Sequence, residues 1–229
     1  MEIIVDKIFQ HKLIQTIETR EFHERTNVHS TDLSWCINKQ ALRKLEPTPN
    51  TEKETLLFSV GFMAQRWVVG IEHDVPEITV DGITTTLDAL VCPKCWKVST
   101  ELLCSCGGKS VPLEFKATYQ SSNRPIEDNL SYIRQVMSQC YVTNTTEAYI
   151  SRLCLMGDWK IKEGNRPILD AFHFTFKPEE LNRWWAVMLE RRDLFLGILE
   201  TGNLLPLGVA LLPGQEYECN FCPYKDRCK

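Results

Sequence analysis

Long apolar runs are missing from this sequence. No stretch approaches the roughly 20 consecutive apolar residues that a membrane-spanning helix requires. Residues 1–12 also lack the apolar core and the small-residue cleavage site of a secretory signal peptide. We therefore expect a cytoplasmic protein that has no membrane partner.

An excess of positive charge is also missing. The formal net charge is −4 over 229 residues, so the surface as a whole does not attract nucleic acid. Any contact with DNA therefore needs a local basic groove. The sequence shows no internal repeat and no low-complexity segment, and 43% of its residues are hydrophobic. A chain of this size fits one domain over residues 1–229, and such a domain can carry an insert.

The hydrophobic pattern predicts alternating helices and strands. A capping box formed by Thr51 and Glu54 begins a long helix, the turn Asp81-Gly82 joins two strands, and Pro178 opens a last long helix. Residues 1–30 are polar and weakly periodic, so no element is predicted there. The predicted helices are 30–45, 51–71, 127–143 and 178–200, and the predicted strands are 77–80, 83–90, 111–118, 148–155 and 168–176. This order is typical of an α/β fold.

A carboxylate and a lysine alternate with apolar residues in "VPLEFKAT" (111–118). Side chains alternate along a strand, so Glu114 and Lys116 share one face. In "ITTTLDAL" (83–90) Asp88 points away from the apolar set, and two neighbouring strands could bring the three groups into one cleft. Two carboxylates can hold Mg²⁺ or Mn²⁺, and an adjacent lysine can orient a water molecule or offset developing negative charge. The alternative is a solvated strand face with Asp88 in a turn.

Ten cysteines in a reducing compartment indicate metal ligands rather than disulfides. The first set has the spacing C-x2-C-x8-C-x-C, which suits a tetrahedral zinc site. Its members are Cys92, Cys95, Cys104 and Cys106. They define an insert, 92–108, between the two carboxylate-bearing strands. A loop that closes on its own metal would let those strands stay together.

The second cysteine set ends the chain in "CNFCPYKDRC", which contains Cys219, Cys222 and Cys228. A four-thiolate site needs one more ligand. Cys140 and Cys154 fall in a predicted helix and an apolar strand, where free cysteine is a small core residue, so Cys36 is the best candidate. Such a site would join residues 33–46 to residues 217–229. Its spacing fits either zinc or an iron–sulfur cluster.

The order of these motifs resembles a known nuclease family. An early cysteine, the strands "LDAL" and "LEFKAT", a glutamine-bearing helix and the final "CNFCPYKDRC" follow one another over about residues 33–229. This arrangement is similar to the RecB-like nucleases of the PD-(D/E)XK superfamily that carry an iron–sulfur cluster. Within them it looks closest to the CRISPR-associated Cas-four exonucleases and their phage and archaeal relatives.

The resemblance implies a restriction-endonuclease-like core sheet flanked by helices. It implies a [4Fe–4S] cluster held by the second cysteine set, which is Cys36, Cys219, Cys222 and Cys228. It implies that Asp88, Glu114 and the Phe115 carbonyl hold Mg²⁺ or Mn²⁺. Lys116 would then be the catalytic lysine. The zinc-like insert is not a general feature of the family.

Three glutamines complete the implied site. Gln135 matches the glutamine of a helical family motif, and Gln139 stands where the family usually has a tyrosine. Gln65 stands where the family often has a histidine, one helical turn after Gly61. A glutamine amide oxygen is a poorer ligand for Mn²⁺ than a histidine nitrogen. We therefore treat Gln65 and Gln139 as possible further members of the site.

Taken with the residues, the resemblance implies a metal-dependent DNA exonuclease that acts on single strands. The pathway would be CRISPR adaptation, phage replication or DNA repair and recombination, with CRISPR integration or recombination proteins as possible partners. The basic helix "NKQALRKL" with Trp35 or Phe221 could guide a strand by its phosphates and bases, although solvated surface charge explains the same residues. The alternative function is a non-catalytic DNA-binding or assembly protein with two metal modules.

Overall fold

A five-stranded mixed sheet, in the order β4–β3–β5–β6–β7, lies at the centre of the molecule. The computed structural model describes residues 6–21, 26–70, 77–159 and 165–228. The strands are β1 Glu77–Val80, β2 Ile83–Thr86, β3 Ala89–Val91, β4 Val98–Ser99, β5 Val111–Thr118, β6 Glu147–Cys154 and β7 Ile168–Thr175. The helices are α1 Lys7–Glu21, α2 Ser30–Ser34, α3 Ile37–Leu45, α4 Glu52–Val69, α5 Leu130–Thr143, α6 Pro178–Thr201 and α7 Leu207–Ala210. Short 3-10 turns occupy Ile126–Asp128, Glu216–Phe221 and Lys225–Arg227.

The sheet has helices on both faces. Strands β5 and β6 run parallel and are joined through α5, whereas the other neighbours in the sheet are antiparallel. On one face Phe115 packs with Val69 of α4. On the other face Ile150 packs with α5 and with Leu181 of α6. The predicted α/β class is confirmed, and the helical layers leave the middle of β5 enclosed on both sides.

The hairpin before the sheet differs from the predicted continuous strand over 83–90. Strand β2 ends at Thr86, and β1 with β2 forms a separate two-stranded sheet. The chain then changes direction through Leu87 and Asp88 before β3 pairs with β5. The single predicted strand is therefore wrong. The Asp88 carboxylate accepts a hydrogen bond from the Phe115 N–H at 2.8 Å, so it lies at the break between two strands rather than within one.

The predicted helix over 30–45 is also wrong as a single element. It breaks into α2 and α3 at Trp35 and Cys36. The guanidinium of buried Arg191 donates to the carbonyls of Leu33 and Trp35, both at 2.6 Å, and Gln215 donates to the carbonyl of Ser34 at 2.5 Å. These carbonyls bond to side chains instead of to the next helical turn. The same guanidinium also reaches the carbonyl of Ala210, at 3.1 Å, in the C-terminal segment.

The remaining predicted elements lie close to their expected bounds. The capping box of Thr51 and Glu54 begins α4, and Pro178 occupies the first turn of α6. Cys140 and Cys154 are both fully buried, as predicted. Helices α1 and α7 and strand β4 were not predicted, because they are weakly periodic or very short. No described helix has the length and apolarity needed to cross a bilayer.

We expect Arg191→Leu to lower the free energy of unfolding by at least about 3 kcal/mol, because each buried carbonyl left without a donor costs roughly 1–3 kcal/mol. Denaturant titration followed by circular dichroism measures the loss. Arg183→Leu is the matched control, since Arg183 is exposed on the same helix and its change should stay within about 0.5 kcal/mol. Equal losses in the two variants would contradict the role given to Arg191.

Candidate active site and metal centres

The middle of β5 presents a carboxylate and an amine toward α5. Glu114 is fully buried and Lys116 is partly buried, and the Lys116 amine contacts the Glu114 Oε1. The same amine donates to Gln135 Oε1 at 2.8 Å and lies 5.4 Å from the centre of the Tyr132 ring. The strand alternation predicted from the sequence therefore brings Glu114 and Lys116 to one face, and α5 supplies their partners.

The Asp88 carboxyl completes this cluster from the break between β2 and β3. Desolvation by burial raises the pKa of Asp88 to about 8, and the nearby Glu114 charge acts in the same direction. The Lys116 charge and the Phe115 N–H act against this shift but are outweighed. For Lys116, burial alone would lower the pKa, but the two carboxylates outweigh it and raise the pKa. Both shifts follow from the close approach of two carboxyl groups and one amine in a buried place.

Gln139 holds the other oxygen of Glu114. Its amide nitrogen donates to Glu114 Oε2 at 2.5 Å and to the carbonyl of Thr86 at 3.4 Å. Its Oε1 atom is buried and has no hydrogen-bond partner among the described residues. A buried polar atom normally has a partner, so this oxygen is available to a bound water molecule or ion. Asp88, Glu114 and the Phe115 carbonyl are the groups of this chain that could hold a divalent cation here.

Gln65 forms no hydrogen bond to the cluster within the described part of the chain. It is half-buried on α4, whose residues Ala64 and Val68 pack with Phe115 on the opposite face of β5 from Glu114. Its part in the site stays a prediction. Tyr132 and the Thr86 carbonyl were not predicted. Tyr132 precedes Gln135 and Gln139 by three and seven residues, a spacing that places all three on one helix face and could have identified it.

The insert gathers its four sulfurs into a compact group. All four sulfur atoms lie within 4.8 Å of one another, and within the described residues they form the one group of metal-ligating side chains that meets this distance. Two of the sulfur pairs are 3.5 Å apart, namely Cys92 with Cys106 and Cys95 with Cys104. A hydrogen bond from the Cys106 backbone lowers the pKa of Cys104 to about 6, which favours the thiolate form that binds metals. This cluster could hold a metal ion.

The second cysteine set surrounds a cavity of about 230 Å³ between α3 and the C-terminal turns. All four cysteines of the set line it, namely Cys36, Cys219, Cys222 and Cys228. Lys39 and Glu218 also line it, and both carboxylate oxygens of buried Glu218 lack a hydrogen-bond partner among the described residues. Asn38 ties α3 to the C-terminal segment through Leu205 at 2.7 and 3.0 Å. The chain therefore brings its N-terminal cysteine to the C-terminal three.

Two further cavities meet at Trp35 and Tyr217. The first, of about 290 Å³, contains Arg124 and Arg134 and extends to Tyr132 beside the Lys116 amine. The second, of about 590 Å³, is lined by Lys39, Arg43 and Phe221, among other residues. Lys39 and Glu218 line both the second cavity and the cavity of the second cysteine set. We call these two cavities, which share Trp35 and Tyr217, the Trp35–Tyr217 groove. Its cations Arg124, Arg134, Lys39 and Arg43 are matched by the carboxylates of Asp128, Asp32, Glu54 and Glu218.

Solved structures give this chain a relative in fold. The crystal structure of SSO0001 matches over 96% of this chain and 96% of that chain, with a TM-score of 0.55 and 12% sequence identity. This likeness shows a shared fold. An alkaline exonuclease (LHK-Exo) from Laribacter hongkongensis matches 76% of this chain and 90% of its own, at a TM-score of 0.42 and 11% identity. A phage-related exonuclease from Haemophilus somnus 129PT matches over 78% of this chain and 97% of its own, with a TM-score of 0.44 and 7% sequence identity.

No protein-family model matches this chain, and no curated protein matches it. The assignment of chemistry therefore depends on the geometry of the residues themselves.

We expect the metal-free protein to lose thermal stability as the pH rises from about 6 to about 8. The pKa of Asp88 lies above its unfolded value, so the folded state binds the proton more tightly, and that stabilisation disappears as the pH rises through about 8. The amide side chain introduced by Asp88→Asn cannot titrate, so the thermal stability of this variant should depend less on pH. Differential scanning fluorimetry without added divalent ions measures the unfolding temperature at each pH.

Added Mn²⁺ should then stabilise the wild type but not Asp88→Asn, because a ligand that binds only the folded state raises its stability. Asp128→Asn, at an exposed position, serves as the control and should behave as the wild type. If thermal stability falls with pH equally in Asp88→Asn and in the wild type, the Asp88 carboxyl is not the group that causes the pH dependence.

Proposed function

We propose that this protein is a metal-dependent deoxyribonuclease that hydrolyses phosphodiester bonds in single-stranded DNA from an end. The observation that carries the proposal is the cluster of Asp88, Glu114 and Lys116, in which two carboxyl groups and an amine meet at the centre of an enclosed sheet. Burial and the neighbouring Glu114 raise the pKa of Asp88 to about 8. Strongly shifted groups of this kind are typical of catalytic sites.

The residues fit a hydrated divalent cation of the Mg²⁺ or Mn²⁺ type. Asp88 and Glu114 offer carboxylate oxygens, the Phe115 carbonyl lies between Glu114 and Lys116 in sequence, and Gln139 Oε1 lacks a partner. Oxygen ligands are those that these ions prefer. When bound, such an ion supplies Lewis-acid stabilisation of phosphate charge and lowers the pKa of water.

The protein side chains position the reacting groups. Lys116 is held by Glu114 and Gln135, so its ammonium group has a fixed direction from which it can bind a phosphate oxygen or a water molecule. Gln139 holds the second oxygen of Glu114. Asp88 would bind a cation as its carboxylate, because metal ligands bind in the deprotonated form. Burial on both sides of β5 keeps bulk water from screening these charges.

The Trp35–Tyr217 groove supports a single strand as the substrate. The aromatic side chains Trp35, Tyr132 and Tyr217 line it together with Arg124 and Arg134. Aromatic rings that stack on bases and cations that bind phosphates are the combination by which proteins hold single strands. Carboxylates also line the groove, so we assign the binding chiefly to the aromatic rings.

The spacing of the sulfurs supports different metals in the two cysteine sets. Zinc–sulfur bonds of about 2.3 Å in a tetrahedron place sulfurs about 3.8 Å apart, and the insert has sulfur pairs at 3.5 Å. The second set surrounds a cavity of about 230 Å³ without forming such a compact group among the described residues. A [4Fe–4S] cluster puts irons and sulfides between its four thiolates. We therefore assign zinc to the insert and the cluster to Cys36 and the C-terminal cysteines.

Cleavage of an end-labelled single-stranded oligonucleotide in the presence of Mn²⁺ tests the function. Glu114→Gln should reduce the rate by at least about 100-fold, because it removes a carboxylate ligand of the cation that would stabilise phosphate charge. Binding of the oligonucleotide without Mn²⁺ should persist in the variant. A label at the attacked end should appear first in mononucleotides, and a label at the other end should show a strand that shortens stepwise, since we propose attack from an end.

The outcomes separate two classes of protein. Binding without cleavage in the wild type, under any divalent ion, would overturn the nuclease proposal and favour a DNA-binding or assembly protein with two metal modules. Equal cleavage by wild type and Glu114→Gln would indicate a contaminating nuclease or another site.

Tyr217→Ala should weaken binding of single-stranded DNA by about 5- to 150-fold, the equivalent of the roughly 1–3 kcal/mol that one stacked base contributes. Tyr217 lines both cavities of the Trp35–Tyr217 groove. Tyr119→Ala is the matched control, because both tyrosines are 51% exposed and Tyr119 is not among the groove residues described above. Fluorescence anisotropy measures the dissociation constants. Equal weakening in both variants would contradict the groove as the path of the strand.

A further inference from the structure

The insert is connected directly to the two strands that carry the carboxylates. Cys92 follows the last residue of β3, and Asp88 precedes the first residue of that strand. At the other end of the insert, Cys106 lies five residues before β5, which carries Glu114. The cysteines and the carboxylates thus lie at opposite ends of one short pair of strands.

That pair of strands is short, and β3 is buried in the core. Strands β3 and β5 share three residue pairs, Ala89 with Leu113, Leu90 with Pro112 and Val91 with Val111. Pro112 has no backbone N–H to donate. At about 3.3 Å per residue, the strand places Asp88 roughly 13 Å from Cys92, the first residue of the insert.

Glu114 and Asp88 differ in how firmly the sheet holds them. Strand β5 forms six further pairs with β6, and Gln139 and Lys116 bond to Glu114 directly. Glu114 therefore has support that does not depend on the insert. Asp88 precedes a three-residue strand, and its carboxyl is held by the Phe115 N–H. Movement of β3 would displace Asp88 and leave Glu114 in place.

The insert contacts the sheet through Trp96, whose ring lies edge-on to Tyr149 of β6 with centroids 5.7 Å apart, but it has little apolar packing of its own. Trp96, Leu102 and Leu103 are exposed at 64%, 42% and 69%, so the loop has little apolar core. Backbone hydrogen bonds close its two turns, for example from Trp96 N–H to the Cys92 carbonyl at 2.7 Å. Strand β4 adds two residue pairs to β3. The four sulfurs lie within 4.8 Å of one another, so a single ion bound by all of them would close the loop.

We propose that a zinc ion on Cys92, Cys95, Cys104 and Cys106 holds β3 in register with β5 and thereby positions Asp88 for divalent-cation binding. The four cysteines are positioning residues, because they act on the candidate active site through the strand pair. This inference rests on the proposed function for the role of Asp88. The coupling between zinc and β3 itself can be observed without any nuclease activity.

Gly108 offers a way to remove the zinc without removing a thiol. A Cβ atom at this position would lie 2.8 Å from Cys92 Sγ and 3.4 Å from Cys106 Sγ, so Gly108→Ala displaces the sulfurs. Gly197→Ala is the matched control, since nothing lies within 4 Å of a Cβ there. Cys95→Ser, which replaces an exposed ligand, is a second test variant in case Gly108→Ala does not fold.

Metal analysis of the full-length protein, purified without oxygen, is the first measurement. We expect about one zinc and about four irons per chain in the wild type and in Gly197→Ala. Gly108→Ala and Cys95→Ser should lose the zinc and keep the iron with its visible absorption. Zinc retained in both test variants, or iron lost together with zinc, would overturn the separate zinc site.

Hydrogen exchange and Mn²⁺ binding then test the coupling. Zinc-free variants should lose amide protection at 89–91 but keep it in β6, and calorimetry should show Mn²⁺ affinity reduced by about tenfold or more, the usual cost of losing outer support of a metal ligand. The cleavage rate should recover at saturating Mn²⁺, which a general loss of folding would not allow. Unchanged protection of β3 would overturn the coupling even if the protein cleaves DNA. Lost protection without Mn²⁺ binding or cleavage in the wild type would instead overturn the proposed function.

Discussion

The buried guanidinium of Arg191 is the interaction on which the arrangement of both chain ends depends. Five donors in one rigid plane allow a single side chain to bind several carbonyls, and here they come from the break between α2 and α3 and from the C-terminal segment. Burial lowers the pKa of Arg191 to about 10, yet the group stays charged at neutral pH. The helix break that it stabilises turns Trp35 toward the Trp35–Tyr217 groove and Cys36 toward the C-terminal cysteines.

Both candidate centres arise where a regular element stops. Cys36 follows the end of α2, and Asp88 lies between β2 and β3. A continuous helix would bond its own carbonyls, and a continuous strand would keep the Phe115 N–H for a neighbouring backbone oxygen. In each case the backbone group freed by the break is satisfied by a side chain, Arg191 in the first and Asp88 in the second. In both centres, the hydrogen bond between a side chain and a backbone group at the break therefore helps to position the functional residue.

Local patterns in the sequence predicted what depends on local geometry. The alternation in "VPLEFKAT" was sufficient to place Glu114 and Lys116 on one face, because a strand has a two-residue period. The helix break at Trp35 could not be predicted in this way, since its carbonyls find their donor 156 residues later in the chain. The position of Asp88 likewise depends on a backbone donor 27 residues away. At these two positions a hydrogen bond to a residue far away in the sequence outweighs the local helix or strand pattern.

The two cysteine sets use the same ligand atoms with different spacing, and the reason lies in the chain that carries them. Four cysteines within fifteen residues are held by two tight turns, and Gly108 lets sulfurs approach to a distance at which a Cβ atom would collide with them. The second set joins residues 183 or more positions apart, so its spacing is fixed by α3 and the C-terminal turns rather than by one loop. A local loop can close on one ion, whereas two separate segments leave a cavity that a larger inorganic group can fill. The two sets therefore differ in the space that their sulfurs enclose.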